Sequence, residues 1–338
     1  MLNLERKICA SIQKFDLNLQ GKTVLTEAAS GNYVVTPVIA AFAGANVTAI
    51  TKDSKYGSIE EIKNQTYALA RQMELDQKIR IVDSNTDLDY DVFDIVTNTG
   101  FVRPINQKMI SMLKSSCVIP LMWEPWEFRS DDIDLNACYQ RGIKVYGTNE
   151  SDQRLRTMEY IGFTVLSLLL ENKHSPFSAN ILLLGNQHFV VPVEKVLHKN
   201  NYSVTSISQY DRPLSLPLEN FNVIVVVENE RKNLLIGERG YIASERISAD
   251  TLVIHICGNV DFNHLVCSKI PQEPAKFGYM SYTTDYVDNQ AVIDLHTAGL
   301  KVAEGMLRAN KRNFEKLEYK NFMEKNYPAL AFSNEKFW

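Results

Sequence analysis

The chain has 338 residues, of which 45% are hydrophobic and 22% charged, and its formal net charge is −4. This length predicts two domains, each large enough to bury its own core. No run of basic residues exceeds two, which argues against a nucleic-acid surface or an anionic membrane surface as partner. The five cysteines are scattered and form no C-x-x-C pair. We therefore expect a reduced, cytoplasmic protein without disulfides or a zinc site.

Short apolar, β-branched runs alternate along the chain with segments of 3.6-residue periodicity, which predicts strands alternating with helices. The predicted helices are residues 3–15, 34–43, 59–73, 151–172, 192–199 and 291–310. The predicted strands are residues 23–28, 47–51, 79–82, 93–97, 118–122, 144–146, 179–185, 202–207, 223–227 and 252–256. This alternation predicts an α/β fold with two Rossmann or flavodoxin-like doubly wound parallel sheets and a cleft between the domains.

The pattern suggests where the two domains divide. We expect a first domain over residues 1–150 and a second over residues 151–310, whose sheet begins after a polar break at residues 173–178. The tail, residues 311–338, is aromatic and charged but has no apolar stripe of its own. We expect it to return to the first domain.

The predicted strand 179–185 ends at a turn in the position of a phosphate-binding loop. A dinucleotide-binding unit would read G-x-G-x-x-G here, whereas the chain reads GNQHFV from Gly185 onward. Gln187 and Val190 stand at the positions of the second and third glycines, which let backbone approach a pyrophosphate and helix pack on strand, and His188 follows directly after Gln187. A diphosphate that binds here should use the N–H groups at residues 185–189, with His188 as an added donor and with reduced affinity.

Three segments in order carry a resemblance to a known family: residues 131–150 (DDIDLNACYQRGIKVYGTNE), residues 233–261, and residues 294–304 (DLHTAGLKVAE). Over about residues 93–310 the chain resembles the D-isomer-specific 2-hydroxyacid dehydrogenase family. The resemblance implies a flavodoxin-like substrate domain with an inserted Rossmann domain, and NAD or NADP as cofactor. The implied cofactor-binding residues lie in the turn after strand 179–185 and after the strands that follow it. They are Gly185, Asn186, Gln187, His188, Asp211 and Gly258.

The resemblance also implies catalytic residues. His296 falls at the position of the family's acid/base histidine, a role that suits an imidazole, and Glu273 or Asp285 is its supporting acid. The family's substrate-binding arginine is absent, because the chain has Cys257 there. A cysteine cannot form a bidentate ion pair with a carboxylate. We therefore expect a substrate other than a simple 2-keto acid such as pyruvate.

The loop after strand 118–122 departs from the family as well. It reads WEPWEFR from Trp123 to Arg129, and its tryptophans and acids suit a cationic or ring-bearing group better than an anion. The candidate substrate-binding residues are therefore Trp123, Glu124, Trp126 and Arg129. The alternative is that the two tryptophans belong to the core or to an interface.

A second small-residue turn follows the first predicted strand, at residues 27–33, and contains Gly31. Together with Asp53 after the next strand, this turn is similar to the nucleoside site of methyltransferases. The alternative is an ordinary tight strand–helix turn, which would have the same sequence pattern. Two functions stay open. One is a divergent NAD(P)-dependent oxidoreductase acting on a small metabolite, expected as a homodimer. The other is a non-redox Rossmann-type nucleotide- or metabolite-binding protein or partner subunit.

Overall fold

The computed structural model describes residues 2–84, 86–211, 214–334 and 336. The chain divides into two compact units. Unit 1 comprises Met1–Leu155 and Asn289–Trp338, and unit 2 comprises Arg156–Asp288. Three residues of the predicted tail, Glu335, Phe337 and Trp338, lie outside the described residues.

Unit 1 contains seven of the α-helices seen in the described residues. They are α1 (Leu2–Phe15), α2 (Val35–Phe42), α3 (Ile59–Gln72), α4 (Gln107–Met112), α5 (Leu135–Arg141), α8 (Gln290–Ala309) and α9 (Lys316–Asn326). Its strands are β1 (Thr23–Glu27), β2 (Asn46–Thr51), β3 (Ile79–Asp83), β4 (Ile95–Val96), β5 (Ile119–Pro120), β6 (Val145–Thr148) and β14 (Ala329–Leu330).

The unit 1 sheet has the strand order of a doubly wound nucleotide-binding fold. Strands β3, β2, β1 and β4 are parallel neighbours in that order, and a bridge from Ile95 to Val118 continues the sheet to β5 and β6. The order 3-2-1-4-5-6 reverses direction between β1 and β4. Strand β14 closes the far edge antiparallel to β6.

Helix α8 is the central helix of unit 1. Ile293, Leu300 and Met306 are fully buried in its core, and α8 packs on α1 and α2. Asp294 at its start accepts hydrogen bonds from Ser11 at 2.7 Å and Lys14 at 2.5 Å. This helix was expected in the second domain, whereas the structure places it in unit 1. Unit 2 therefore ends at Asp288 and not at residue 310.

Unit 2 contains α6 (Thr157–Glu171), α7 (Gln187–Lys199), and the strands β7 (Asn180–Gly185), β8 (Ser203–Ile207), β9 (Val223–Val227), β10 (Ile236–Gly237), β11 (Ile242–Ala243), β12 (Leu252–Cys257) and β13 (Ser268–Ile270). Its main sheet is parallel, in the order β13-β12-β9-β7-β8. The order reverses between β7 and β9. The predicted helix 151–172 begins later, at Thr157, because Arg156 has a left-handed backbone with a φ of 57°.

The structure confirms the predicted fold class, since both units are α/β with parallel sheets. Strands buried on both faces explain why each appears in the sequence as an unbroken apolar run, as in β9 and β12. Among the described residues, no helix combines the length and the apolar character that crossing a membrane requires.

Candidate functional site

Gly185 ends β7 where that strand lies very close to β9. A Cβ at this position would meet the carbonyl oxygen of Val227 and would lie 2.6 Å from its Cγ2. Real Cβ atoms do not approach other atoms so closely, so strand packing alone requires a glycine here. The one glycine that remains of the phosphate-binding pattern is therefore explained without a phosphate.

Asn186 occupies the start of α7 with its own side chain. Its Oδ1 accepts a hydrogen bond from the N–H of Phe189 at 3.2 Å, which makes it the N-cap of the helix. Its Nδ2 donates to Oδ1 of Asn229 in the loop after β9. Because the strand order reverses between β7 and β9, this bridge crosses the place where an open α/β sheet binds its ligand.

Two further groups occupy the same edge of the unit 2 sheet. Gln187 donates from Nε2 to Oγ of Ser208, just after β8, at 2.8 Å. Glu228, just after β9, is fully buried, and its Oε1 accepts from the N–H groups of Glu230 and Arg231 at 3.0 and 3.2 Å. A ribose-binding acid would stand near Ser208, whereas Asp211 is exposed further along the loop.

These residues do not fit the diphosphate of a nicotinamide cofactor. The helix start is capped by Asn186, and Gln187 places a Cβ where the backbone should approach the phosphate. The carboxyl group of Glu228 is buried at the same edge, where its oxygens are acceptors and offer no hydrogen-bond donor to a diphosphate.

Gly258 and Cys257, at the end of β12, lie beside a histidine that the sequence interpretation missed. His255 is fully buried. Its Nε2 is 3.1 Å from the carbonyl oxygen of Gly258, and its Nδ1 is 2.7 Å from Oγ of Ser281. A carbonyl only accepts, so Nε2 carries the proton. Burial lowers the pKa of His255, and the neutral ring holds the loop after β12 in place.

The carboxyl edge of the unit 1 sheet carries a buried acid at the reversal of strand order. Glu27, the last residue of β1, is 6% exposed. Its Oε2 accepts from the N–H of Phe101, in the loop after β4, at 2.9 Å. Burial raises the pKa of Glu27, and the nearby cations Arg103 and Lys52 offset this only in part.

Threonine hydroxyl groups surround the same reversal point. Oγ1 of Thr97, just after β4, donates to Oγ1 of Thr26 at 2.9 Å and lies 3.0 Å from that of Thr99. Thr51, at the end of β2, is fully buried, and its hydroxyl has no hydrogen-bond partner among the described residues. A buried hydroxyl without a partner is uncommon and indicates a place for a water molecule or a ligand group.

The turn after β1 begins a short 3₁₀ helix, Gly31–Val34, that leads into α2. Gly31 has a φ of 65°, and the space beside its Cα is open. The left-handed backbone therefore explains this glycine. Asp53, after β2, accepts from the N–H of Ile59 at 2.8 Å and so supports the start of α3.

His296 lies on α8 in unit 1 and is 5% exposed. Its Nδ1 is 2.6 Å from Oγ1 of Thr36 on α2, and its ring centroid is 5.8 Å from that of Tyr33. The structure thus places the predicted catalytic imidazole against the helix that follows the Gly31 turn.

The two candidate supporting acids lie in unit 2. Glu273 lines a cavity of about 370 Å³ together with Asp261 and Lys269. Asp285 accepts a hydrogen bond from Oγ1 of Thr283. His296 and these acids therefore belong to different units, and a pairing between them stays a prediction.

The tryptophan loop in unit 1 is held by its own acid. Glu124 is 4% exposed; its Oε2 accepts from Nε1 of Trp126 at 2.9 Å, and its Oε1 from the N–H of Glu150 at 3.0 Å. The guanidinium carbon of Arg103 lies 5.2 Å from the ring centroid of Trp123, and Arg129 is 3.7 Å from Asp132. These contacts give the loop residues structural partners, and substrate contact by them stays a prediction.

Two more acids of this loop region were not predicted as site residues. The side chains of Glu127 and Glu150 are hydrogen-bonded to each other. Burial raises the pKa of Glu127 to about 7 and that of Glu150 well above its usual value. One proton shared between the two carboxyl groups accounts for this arrangement.

Comparisons with known proteins support the fold. No protein-family model matches the chain, and no curated protein matches it. Among solved structures, a dipicolinate synthase chain from Bacillus halodurans aligns at 12% identity with a TM-score of 0.53, covering 86% of this chain and 98% of that one. This similarity shows a shared fold.

Two further structures align less closely. A transhydrogenase from Sinorhizobium meliloti aligns at 10% identity with a TM-score of 0.45, covering 92% of this chain and 97% of that one. An NAD⁺-bound 3-phosphoglycerate dehydrogenase from Entamoeba histolytica aligns at 10% identity with a TM-score of 0.43, covering 87% and 96%. The first of these alignments, to the dipicolinate synthase chain, confirms the resemblance to D-2-hydroxyacid dehydrogenases at the level of the fold, and a fold by itself does not define an activity.

Proposed function

We propose that this chain is a non-redox protein on a dehydrogenase fold and that it binds a small nucleoside-like metabolite at the carboxyl edge of the unit 1 sheet. The side chain of Asn186 carries the first part of the proposal. It is 7% exposed, caps α7 and bridges to Asn229. A dinucleotide at this turn would have to break both hydrogen bonds and displace a buried side chain.

The strand order of unit 1 supports the second part of the proposal. Order 3-2-1-4-5-6 is the arrangement in which nucleotides bind at the reversal of the sheet. The carboxyl group of Glu27 lies at that reversal, and Thr51, whose hydroxyl has no hydrogen-bond partner among the described residues, ends the neighbouring strand β2. Carboxylates and hydroxyls are suitable partners for ribose hydroxyl groups, so a nucleoside matches this edge better than a bare anion.

Calorimetric titration with adenosine tests the proposed site. The wild-type protein should bind adenosine, and Glu27→Gln should weaken binding by at least about tenfold, since a hydrogen bond to a charged group contributes about 1.5–3 kcal/mol. Glu60→Gln, at an exposed position of α3, is the matched control and should bind as the wild type does. The second part of the proposal is wrong if the wild-type protein does not bind adenosine, or if Glu27→Gln binds adenosine as tightly as the wild type does.

The second candidate is the divergent NAD(P)-dependent oxidoreductase that the resemblance implies. The burial of His296 against Thr36 and Tyr33 favours it, because such contacts would hold an acid/base imidazole in one orientation. With Cys257 in place of the family's arginine, we expect little activity on pyruvate or glyoxylate. In this candidate His296→Asn abolishes turnover and keeps cofactor binding, and an active His296→Asn variant would exclude the acid/base role.

A further inference from the structure

A serine and a histidine of unit 2 meet at the carboxyl end of β12. His255 lies in β12 and is fully buried, whereas Ser281, in the segment that follows β13, is half-buried. Oγ of Ser281 is 2.7 Å from Nδ1 of His255, and the N–H of Ser281 donates to the carbonyl oxygen of Ile256 at 2.7 Å. Both residues belong to unit 2, so the pair is separate from the proposed site in unit 1 and does not depend on it.

The hydrogen bonds around the two side chains determine where their protons lie. Nε2 of His255 faces the carbonyl oxygen of Gly258 at 3.1 Å, so the proton of the neutral ring is on Nε2 and Nδ1 is an acceptor. Oγ of Ser281 accepts from the N–H of Ala275 at 2.9 Å. The hydroxyl group of Ser281 therefore donates its own proton to Nδ1. Burial lowers the pKa of His255, which keeps the ring neutral.

This arrangement has the three parts of an activated nucleophile. The hydroxyl group of Ser281 is hydrogen-bonded to a neutral imidazole that can accept its proton, and the carbonyl oxygen of Gly258 holds that imidazole in one orientation. Such a pair is recognised by its geometry and not by sequence position. Its location is also suitable, because open α/β sheets bind ligands at the carboxyl ends of their strands.

The cavity of about 370 Å³ in unit 2 adjoins this pair. Phe262 lines the cavity, and its ring stands edge-on to the ring of His255 with centroids 6.2 Å apart. Pro274 also lines the cavity and directly precedes Ala275, whose N–H donates to Ser281. The volume falls within the range of small-molecule sites, about 300–1,000 Å³. A small substrate therefore has room beside the two side chains.

We propose that Ser281 is a catalytic nucleophile that hydrolyses small carboxylic esters, with His255 as its general base. Oγ of Ser281 bonds to the carbonyl carbon of the ester while its proton moves to Nδ1 of His255. The bond from that carbon to the ester oxygen then breaks, the alcohol leaves with the proton, and the acyl group stays on Ser281. A water molecule next gives a proton to Nδ1 and bonds to the acyl carbon. The bond to Oγ breaks, Oγ takes the proton back, and the carboxylic acid leaves.

Labelling of the full-length protein with diisopropyl fluorophosphate tests the proposal. Oγ should displace fluoride at phosphorus while its proton passes to His255. Tryptic peptide 277–301, in which Ser281 is the only serine, should gain the diisopropylphosphoryl group, and fragment ions should place it on Ser281. Protein unfolded in urea should stay unlabelled, because the activation needs the folded pair. Ser203→Ala is the matched control in unit 2, because Oγ of Ser203 donates to the amide oxygen of Asn180 at 3.1 Å and not to an imidazole. It should be labelled as the wild type is.

His255→Gln is the decisive variant. A glutamine amide N–H can replace Nε2 as the donor to Gly258, while the acceptor that faces Ser281 is lost. This change should slow both the labelling of Ser281 and the hydrolysis of 4-nitrophenyl acetate by at least about 100-fold, with the fold checked by circular dichroism. Ser281→Ala should abolish both reactions. The proposal is overturned if Ser281 of the folded wild-type protein is not labelled, which needs no variant to fold. It is also overturned if folded His255→Gln is labelled at the wild-type rate, or if Ser281→Ala hydrolyses the ester as fast as the wild type does.

Discussion

The N-cap of α7 allows a quantitative test of the two roles of Asn186, which caps the helix and bridges the ends of β7 and β9. Asn186→Ala removes the hydrogen bond to the N–H of Phe189 and the bridge to Asn229. Loss of a cap costs about 1 kcal/mol, and leaving Asn229 without its partner costs about another 1 kcal/mol. The expected loss in the local stability of α7 is therefore about 2 kcal/mol, which corresponds to roughly 30-fold faster amide exchange.

Hydrogen exchange followed by mass spectrometry on peptides covering Gln187–Lys199 measures this change directly. Asn106→Ala is the matched control, because Asn106 caps α4 through the N–H of Met109 at 3.0 Å and is exposed. It should cost α4 only the cap contribution, about 1 kcal/mol. Equal effects of the two substitutions, or exchange in α7 within about twofold of wild type, would refute the idea that Asn186 also bridges the two strand ends.

Two further changes test the packing and the buried acids. Gly185→Ala should destabilise unit 2 by about 3 kcal/mol, measured by urea unfolding, because its Cβ would overlap Val227. The pKa of Glu127 is raised by burial to about 7 from an ordinary 4.5, so its protonated form favours the folded state. The free energy of unfolding should fall as pH rises from about 4.5 to about 7. Glu127→Gln should flatten that fall, and an unchanged pH profile would contradict the assignment.

Much of the fold could be predicted from the sequence because strands buried on both faces are continuous apolar runs. The run VIVVV of Val223–Val227 is an example. The unit to which α8 belongs could not be predicted, because its apolar stripe shows only that it is buried. The assignment to unit 1 depends on Asp294 meeting Ser11 and Lys14, which are distant in sequence.

Strand order was also beyond the sequence pattern. Alternating strands and helices predict a parallel sheet, but the neighbours of a strand as short as β4 are set by tertiary pairing. The sequence therefore left a Rossmann-like and a flavodoxin-like order open for the first domain, and unit 1 has the Rossmann order 3-2-1-4-5-6.

The candidate site shows the same limit. An asparagine before an apolar helical run is a recognisable N-cap signal, so the role of Asn186 could have been predicted from the sequence. The buried state of Glu27 could not, because it depends on the N–H of Phe101 reaching across from another strand end. His296 was identified by resemblance, and its contact with Thr36 needed the fold.

The central claim is that the β7–α7 turn does not accept a nicotinamide dinucleotide, and NADH fluorescence titration tests it most directly. The wild-type protein should show no saturable change up to about 1 mM NADH. The double variant Asn186→Gly, Gln187→Gly frees the helix start and removes the Cβ at the phosphate position, so it should bind NADH more tightly than the wild type. Saturable binding of NADH by the wild-type protein in the micromolar range, with the same affinity in the double variant, would contradict this claim.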